Sequence, residues 1–449
     1  MRRLVKKFQM QGRIGAGAHA LRCWILTRGR DPVSYRRDRY GAGTELILSP
    51  PVHVRILAVA RTQQMDSFTS LLKPGIGVSV GERRVPEAAA PVIVVAAGGT
   101  GGHLYPGVAL AHEFRRRRPD ARIVFVGTAR GLEARVVPQE GFDLELIEVQ
   151  GVIGRRRWEQ LRALARVPAA VWRSLVLLRR LQPRVVIGVG GYASGPVLLA
   201  ARLRGLPTVL VEPNAIPGWT NRLLAPLARR VFVAFERTRV ALKRPDAEVV
   251  GNPVRREIAG AAEEPAVPES GGRMTVLIMG GSQGARAINR ALVAALAQLP
   301  TAMEVSWLHQ TGPADLEMVR NAYAAHGIRA DVVPFIADMA AAYRRADLVV
   351  CRAGATTLAE LTACGRPAIL IPYPFATHGH QEWNANELMR AGAAEVILEP
   401  ELTGARLAQR IGALLSDSAR RTAMALASRA LGRPYAAAAI VDRCMEWVV

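Results

Sequence analysis

The stretch "VVAAGGTGGHLYPGVALA" at residues 94–111 carries β-branched residues into four glycines and His103, then into a run with helical character. A second stretch, "MTVLIMGGSQGARAINRALVAALAQL", opens the same way at residue 274. In each, an apolar strand runs into a Gly-rich turn and then a helix, an order that aims backbone N–H groups and a helix N-terminus at a ligand. Strands alternating with helices confine the chain to α/β architecture with parallel sheets and with sites at the strand C-terminal ends.

Spacing narrows the ligand. In "GGTGGH" at 98–103, Gly99 and Gly101 could begin G-x-G-x-x-G, but the last position is Leu104. "GGSQGA" at 280–285 fails the same test, and neither loop carries the G-x-x-x-x-G-K-[ST] of a P-loop. A dinucleotide-dependent dehydrogenase and a P-loop NTPase therefore lose their main support. Each loop alone is compatible with a structural tight turn; the pair, placed alike in two halves, favours a ligand in a cleft between them.

The unit recurs in "RVVIGVGGYASGPVLLAARLRG" and "PTVLVEPNAIPGWTNRLLAPLA". Around the first loop the expectation is a βαβ unit: a strand over 92–97, a helix from about Pro106, and a strand near 123–126. Pro106 is then a first-turn residue, and the arginines at 115–118 form a solvated helix end. "AGAAEEPAVPESGGR" at 259–273 has the composition of a linker. The expected organisation is a basic extension over 1–90, a first domain over 91–258, the linker over 259–273, and a second domain over 274–449 whose last helices pack back on the first.

With 449 residues the chain exceeds what one core usually serves. Its net charge of +23 points to an anionic partner: nucleic acid, a phosphorylated substrate or an acidic membrane surface. An aromatic content of only 5% weighs against stacking platforms for single-stranded nucleic acid. Residues 1–90 supply about ten of the positive charges and lack strand or helix period in "PVSYRRDRYGAG". That segment reads as a disordered basic arm, a transit-type segment or an over-extended start, without the apolar region of a secretory signal. The four cysteines show no C-x-x-C spacing, which suits a reducing compartment without structural zinc. No run reaches the ~18 apolar residues of a membrane-spanning helix.

Three further segments carry chemistry. "CRAGATTLAELTACGRPAILIPYP" at 351–374 puts Glu360 on a short helix that starts at a strand end, where a carboxylate suits ribose hydroxyls or is an exposed helix residue. "HGHQEWNANEL" at 378–388 gathers His380, Gln381, Asn384 and Asn386, groups suited to neutral sugar hydroxyls. His378 and His380 have no partner set for zinc, and no Asp-x-Asp motif offers a divalent cation a place on a diphosphate, so the expected metal set is none. "GVIGRRRWEQLRALARVPAAVWRSLVLLRRLQPR" at 151–184 spaces apolar residues by three and four among arginines. It is a membrane-facing helical region or a domain helix with a core stripe and a basic outer face. Nucleic acid would explain the charge but not the paired loops.

In order along residues 92–386, "GGTGGHLYPGVALA", "GGYASGP", "EPNAIPGWTN", "GNPVR", "GGSQGARAIN", "CRAGATTLAE" and "HQEWNA" together resemble the MurG-type N-acetylglucosaminyltransferases. These are peptidoglycan enzymes of the GT-B fold, α/β with two Rossmann-like parallel-sheet domains facing a cleft. The resemblance implies inverting transfer of N-acetylglucosamine from UDP-N-acetylglucosamine to the 4-hydroxyl of the muramoyl sugar of lipid I, giving lipid II and UDP. It implies no cofactor, no nucleic acid, and a peripheral place on the cytoplasmic leaflet of the plasma membrane. Another lipid-acceptor GT-B enzyme, of the diacylglycerol type, is the alternative; "GGYASGP" and "HQEWNA" argue against it.

Carried residue by residue, the resemblance puts Thr100, Gly101 and Gly102 in the first Gly-rich loop and Asn214 and Arg255 at the donor or cleft site. Ser282 matches a diphosphate contact, and Ile336 matches the position whose backbone reads uracil. Ala355, Thr356, Thr357, Leu358, Ala359 and Glu360 match the segment embracing the nucleotide, with Glu360 on the ribose, and Gln381 matches a contact to the sugar hydroxyls. His380 has no assigned role. His103 is the candidate catalytic base or acceptor-positioning group, since imidazole titrates near working pH; packing against the diphosphate is the other reading. Arg156, Arg157, Trp158, Leu161 and Trp172 are the expected membrane-docking residues.

Overall fold

The computed structural model describes residues 90–99, 101–129, 131–149, 166–263, 273–281, 284–299 and 304–448, with five strands before them. The chain divides into two units, residues 1–89 and 90–449. In the first, Lys6–Arg13 pairs antiparallel with Ala18–Leu26, which pairs in turn with Arg55–Ala58. Val33–Arg37 pairs antiparallel with Thr44–Leu48. The "VSYRR" segment is thus a strand, within a stretch expected to have neither helical nor strand period.

Residues 90–449 form two lobes, each around a parallel sheet. The first sheet has seven strands in the order Glu248–Val249, Arg230–Val233, Thr208–Glu212, Val185–Gly190, Val92–Ala97, Arg122–Gly127, Asp143–Leu146. The second has six, in the order Ala330–Val333, Val305–Gln310, Met274–Met279, Leu348–Cys351, Ala368–Leu370, Ala394–Val396. Strand order reverses beside Val92–Ala97 in one and beside Met274–Met279 in the other. Loops leaving adjacent strands diverge at such a point and open a crevice at the strand C-terminal ends. "GGTGGH" and "GGYASGP" flank the first crevice; "GGSQGA" and "CRAGATT" flank the second.

Near-continuous apolar strands follow from this layout, because helices cover both faces of each sheet. Val92–Ala97 alternates between two clusters: Ile93, Val95 and Ala97 pack with Phe114 and Phe125, whereas Val94 and Ala96 pack with Leu178, Leu198 and Leu210. The final helix, Ala436–Val448, adds Ile440, Val441, Cys444 and Val448 to the first of these. The last helix is therefore part of the first lobe's core. Conversely, Val254, Ile258 and Ala261 pack with Leu277, Tyr343 and Leu361 in the second lobe. The helix Arg256–Glu263 thus belongs with the second lobe, so the packing boundary falls before residue 258.

Two local expectations are corrected. The helix after the first loop is Gly101–Arg117, so Pro106 lies inside it rather than in its first turn. Proline at that place leaves the carbonyl of Gly102, four residues back, without its intrahelical donor. The arginine run is also more than a solvated end. Arg115 lies over the Phe142 ring at 3.8 Å, Arg117 pairs with Glu113 and Asp442, and Arg118 donates to the carbonyl of Val448 at 2.9 Å. The contacts to Asp442 and Val448 fasten the final helix.

Candidate active site

The first wall is built on close backbone approach. Gly99 has φ 93°, and a Cβ there would come within 2.9 Å of the Tyr192 ring; at Gly191, φ 80°, it would come within 2.2 Å of the Gly98 carbonyl oxygen. Only glycine allows both the left-handed conformation and the contact. The two first-lobe loops therefore touch main chain to main chain. His103, in the first turn of the Gly101–Arg117 helix, packs on Gly190, where a Cβ would lie 2.7 Å from its ring. Burial, then the neighbouring His380, pushes the His103 pKa down to about 4. The expectation that it titrates near working pH is corrected: the imidazole is neutral there because its site disfavours charge.

Below this wall, Glu212 ends its strand wholly buried and collects the loop that follows. Its carboxylate accepts from the N–H groups of Asn214 (3.0 Å) and Gly218 (2.9 Å) and from the side-chain amides of Asn214 (3.2 Å) and Asn221 (2.9 Å). Burial pushes the carboxyl up while these donors pull it down. Asn214, 8% exposed, accepts from Asn384 Nδ2 at 3.2 Å, and Ala215 N–H donates to Asn384 Oδ1 at 2.8 Å. Asn214 and Asn384 thus clamp the lobes together. Arg237 of the first lobe adds a second clamp, its guanidinium 3.9 Å from the centre of the Trp383 ring.

The second wall follows Leu348–Cys351, with Gly354 capping the helix Ala355–Ala363. Glu360 points inward, its side chain 6% exposed, so it is not an exposed helix residue. Arg255 donates to Glu360 Oε1 at 3.0 Å and Tyr343 OH to Oε2 at 3.4 Å. Burial pushes the Glu360 carboxyl above its usual range, against the pull of Arg255. Arg255 also lies 5.6 Å from the centre of the Tyr105 ring in the first lobe. Thr356 Oγ1, at 3.4 Å, faces the Gly102 carbonyl that Pro106 leaves open. The cleft therefore closes on two contacts: Gly102 with Thr356, and Tyr105 through Arg255 to Glu360.

Of the other candidate residues, Gln381 opens outward from the helix His380–Arg390, its Oε1 accepting Tyr373 N–H at 2.9 Å. His380 Nδ1 lies 2.7 Å from the Thr377 carbonyl. Ile336 packs on the second lobe's core, and Ala355 and Leu358 are buried in the first turns of their helix. Thr357 and Ala359 occupy the same helix, half-buried. Thr100, Arg156, Arg157, Trp158, Leu161 and Ser282 lie outside the described residues. Trp172 is 68% exposed on the helix Val167–Leu181, whose Ala170, Leu177, Leu178 and Leu181 are buried. That helix carries a core stripe, and Trp172 stands off it. Among the described residues no three metal-ligating side chains gather, and no helix is long and apolar enough to cross a membrane.

Sequence reasoning missed Glu133, Tyr343 and Arg237. Nothing in their local sequence distinguishes them; their roles come from partners far along the chain. Glu212 stood within the "EPNAIPGWTN" motif without an assigned role.

The glycosyltransferase family 28 N-terminal domain matches residues 93–233, and the family 28 C-terminal domain matches residues 275–440. A UDP-N-acetylglucosamine–N-acetylmuramyl-(pentapeptide) pyrophosphoryl-undecaprenol N-acetylglucosamine transferase of Myxococcus xanthus is 49% identical over 80% of this chain and 93% of its own. The protein of the same description from Syntrophotalea carbinolica is 48% identical over 78% of this chain and 98% of its own. The crystal structure of Acinetobacter baumannii MurG superposes with a TM-score of 0.66 at 31% identity, covering 80% of this chain and 99% of that one. The calicheamicin glycosyltransferase CalG4, at 17% identity, 80% and 98% coverage and a TM-score of 0.57, shares the fold. The chain belongs to the MurG-type N-acetylglucosamine transferases of glycosyltransferase family 28.

Proposed function

We propose that the two walls divide one reaction: the second lobe holds UDP-N-acetylglucosamine, and the first presents the muramoyl 4-hydroxyl of lipid I. The chain moves N-acetylglucosamine from the UDP donor to lipid I, giving lipid II and UDP. The observation that carries this division is the buried Glu360 carboxylate, held at the head of the second crevice by Arg255 and Tyr343. It is an acceptor pair matched to two ribose hydroxyls. Ser282 and the N-terminus of the Ala355–Ala363 helix take the diphosphate, and Ala355, Thr356, Thr357, Leu358 and Ala359 line the nucleotide. The Ile336 backbone reads uracil, and Gln381 meets the sugar hydroxyls. Arg255, exchanged from Glu360 by the ribose, is placed to neutralise the charge of the leaving diphosphate.

His103 takes the proton of the acceptor hydroxyl as its oxygen bonds to the anomeric carbon and the bond from that carbon to the diphosphate breaks, with inversion. A neutral imidazole with a depressed pKa is a ready but weak base. Its proton transfer therefore accompanies bond formation, when the hydroxyl has become acidic, rather than preceding it. The helix Val167–Leu181 faces the cytoplasmic leaflet that carries lipid I, with Trp172 and Val176 exposed among arginines.

Three measurements check this reading. The chain turns over UDP-N-acetylglucosamine with a lipid I analogue and not UDP-glucose with diacylglycerol, and His103→Ala lowers kcat by about 10²-fold or more; near-normal turnover by that variant would remove His103 as the base. Because the lowered pKa keeps the basic form present down to about 4, kcat/KM falls as pH drops through about 4 rather than through the ordinary histidine value. An acid limb that tracks His103 at 6.5 would contradict the buried, neutral imidazole. Trp172→Ser weakens binding to anionic lipid vesicles and spares UDP affinity; undiminished vesicle binding would contradict the docking face.

A further inference from the structure

We infer that Glu133 is a positioning residue for the transfer: its carboxylate tethers Gly99 and thereby sets the loop and helix start that carry His103. The inference rests on the assignment of that loop to the acceptor side. Glu133 starts the helix Glu133–Gln139, beyond the strand Arg122–Gly127, and is completely buried. One oxygen, Oε2, accepts the Gly99 N–H at 3.1 Å. The other, Oε1, accepts both the N–H and the hydroxyl of Thr128, each at 2.8 Å.

Three glycines make room for this side chain. A Cβ at Gly98, Gly127 or Gly131 would come within 2.6, 2.4 or 2.0 Å of Glu133 atoms. Gly98 follows the strand Val92–Ala97, Gly127 ends the strand Arg122–Gly127 and Gly131 lies in the turn after it, and the group they surround is a carboxylate bonded to the Gly-rich turn. The Gly99 N–H therefore points back into the lobe. It serves as a tether, not as a donor to a ligand in the cleft. Gly99 is pinned between this carboxylate and the Tyr192 ring, and two residues later the helix begins whose first turn seats His103 on Gly190. Releasing Gly99 lets that turn shift, whereas the Arg255 and Tyr343 bonds to Glu360 do not depend on the tether; the turn meets the second lobe only at its edge, where Gly102 faces Thr356 and Tyr105 nears Arg255.

The chemistry of the carboxylate makes the test selective. Glutamine offers one acceptor oxygen and one NH2. Turned to satisfy the two Thr128 donors, it sets its NH2 against the Gly99 N–H and unties only the loop. In the full-length chain, Glu133→Gln is expected to lower kcat/KM for a lipid I analogue about tenfold or more, while the Kd for UDP, measured by calorimetry, stays within about twofold of wild type. Thr128→Val, which removes one donor to Oε1 and leaves the tether, is expected to keep kcat/KM within about twofold. Should Glu133→Gln fail to fold, Glu133→Asp keeps the charge but draws the carboxylate back by one methylene, and the same split is expected. An unchanged kcat/KM for the acceptor, or an equal loss of UDP affinity, overturns the positioning role. Absence of turnover in the wild-type chain overturns the functional reading and this inference together, whereas wild-type turnover that Glu133→Gln leaves intact overturns this inference alone.

Discussion

A carboxylate buried on a helix that opens into a cleft cannot stand alone, and Glu360 is held by a guanidinium from the segment that joins the lobes. Removing one partner from a buried pair costs about 3–5 kcal/mol; here the low end applies, because Arg255 keeps 31% of its side chain in solvent. That half-wet partner matters for function. A pair with one member at the water boundary can exchange its partner for ligand hydroxyls at modest cost, whereas a fully dry pair would resist. The same arginine reaches toward Tyr105 of the first lobe, so an exchange at Glu360 is felt on both walls.

The lobes themselves are joined by polar contacts more than by a shared core. The Asn214–Asn384 pair, the Ala215 N–H on Asn384 and the Arg237–Trp383 stack are directional, and each needs its geometry. The final helix, locked by Asp442 and the Val448 carbonyl to the arginine run, returns the chain to the first lobe after the second is complete. The first lobe's core is thus finished by residues that follow the second lobe along the chain.

The sequence made the repeated units visible because strand, turn and helix signals are local: β-branched runs, glycines, then helical spacing. It also showed the paired Gly-rich loops, which fall at the reversal points of strand order. What it hid depends on distance along the chain. The arginines at 115–118 looked solvated because Asp442 lies 325 residues away. Pro106 looked like a helix start because the helix actually begins at glycines, where local propensity gives no warning. The resemblance named Asn214 for the donor or cleft site, but its seat in the clamp required Asn384 to be in place. Glu133 was illegible because its surroundings are Gly98, 35 residues back, together with Gly127 at a strand end and Gly131 in the next turn, none of which marks a carboxylate site locally.

The central claim is that Glu360 exchanges Arg255 for the ribose hydroxyls of the donor nucleotide. The most direct measurement is a calorimetric double-mutant cycle, with UDP and its 2′,3′-dideoxy analogue binding to the wild-type chain and to Glu360→Gln. The wild-type chain should bind UDP about tenfold or more tightly than the analogue, and Glu360→Gln should bind the two within about twofold of each other. Equal discrimination by both chains would place the ribose elsewhere and contradict the account.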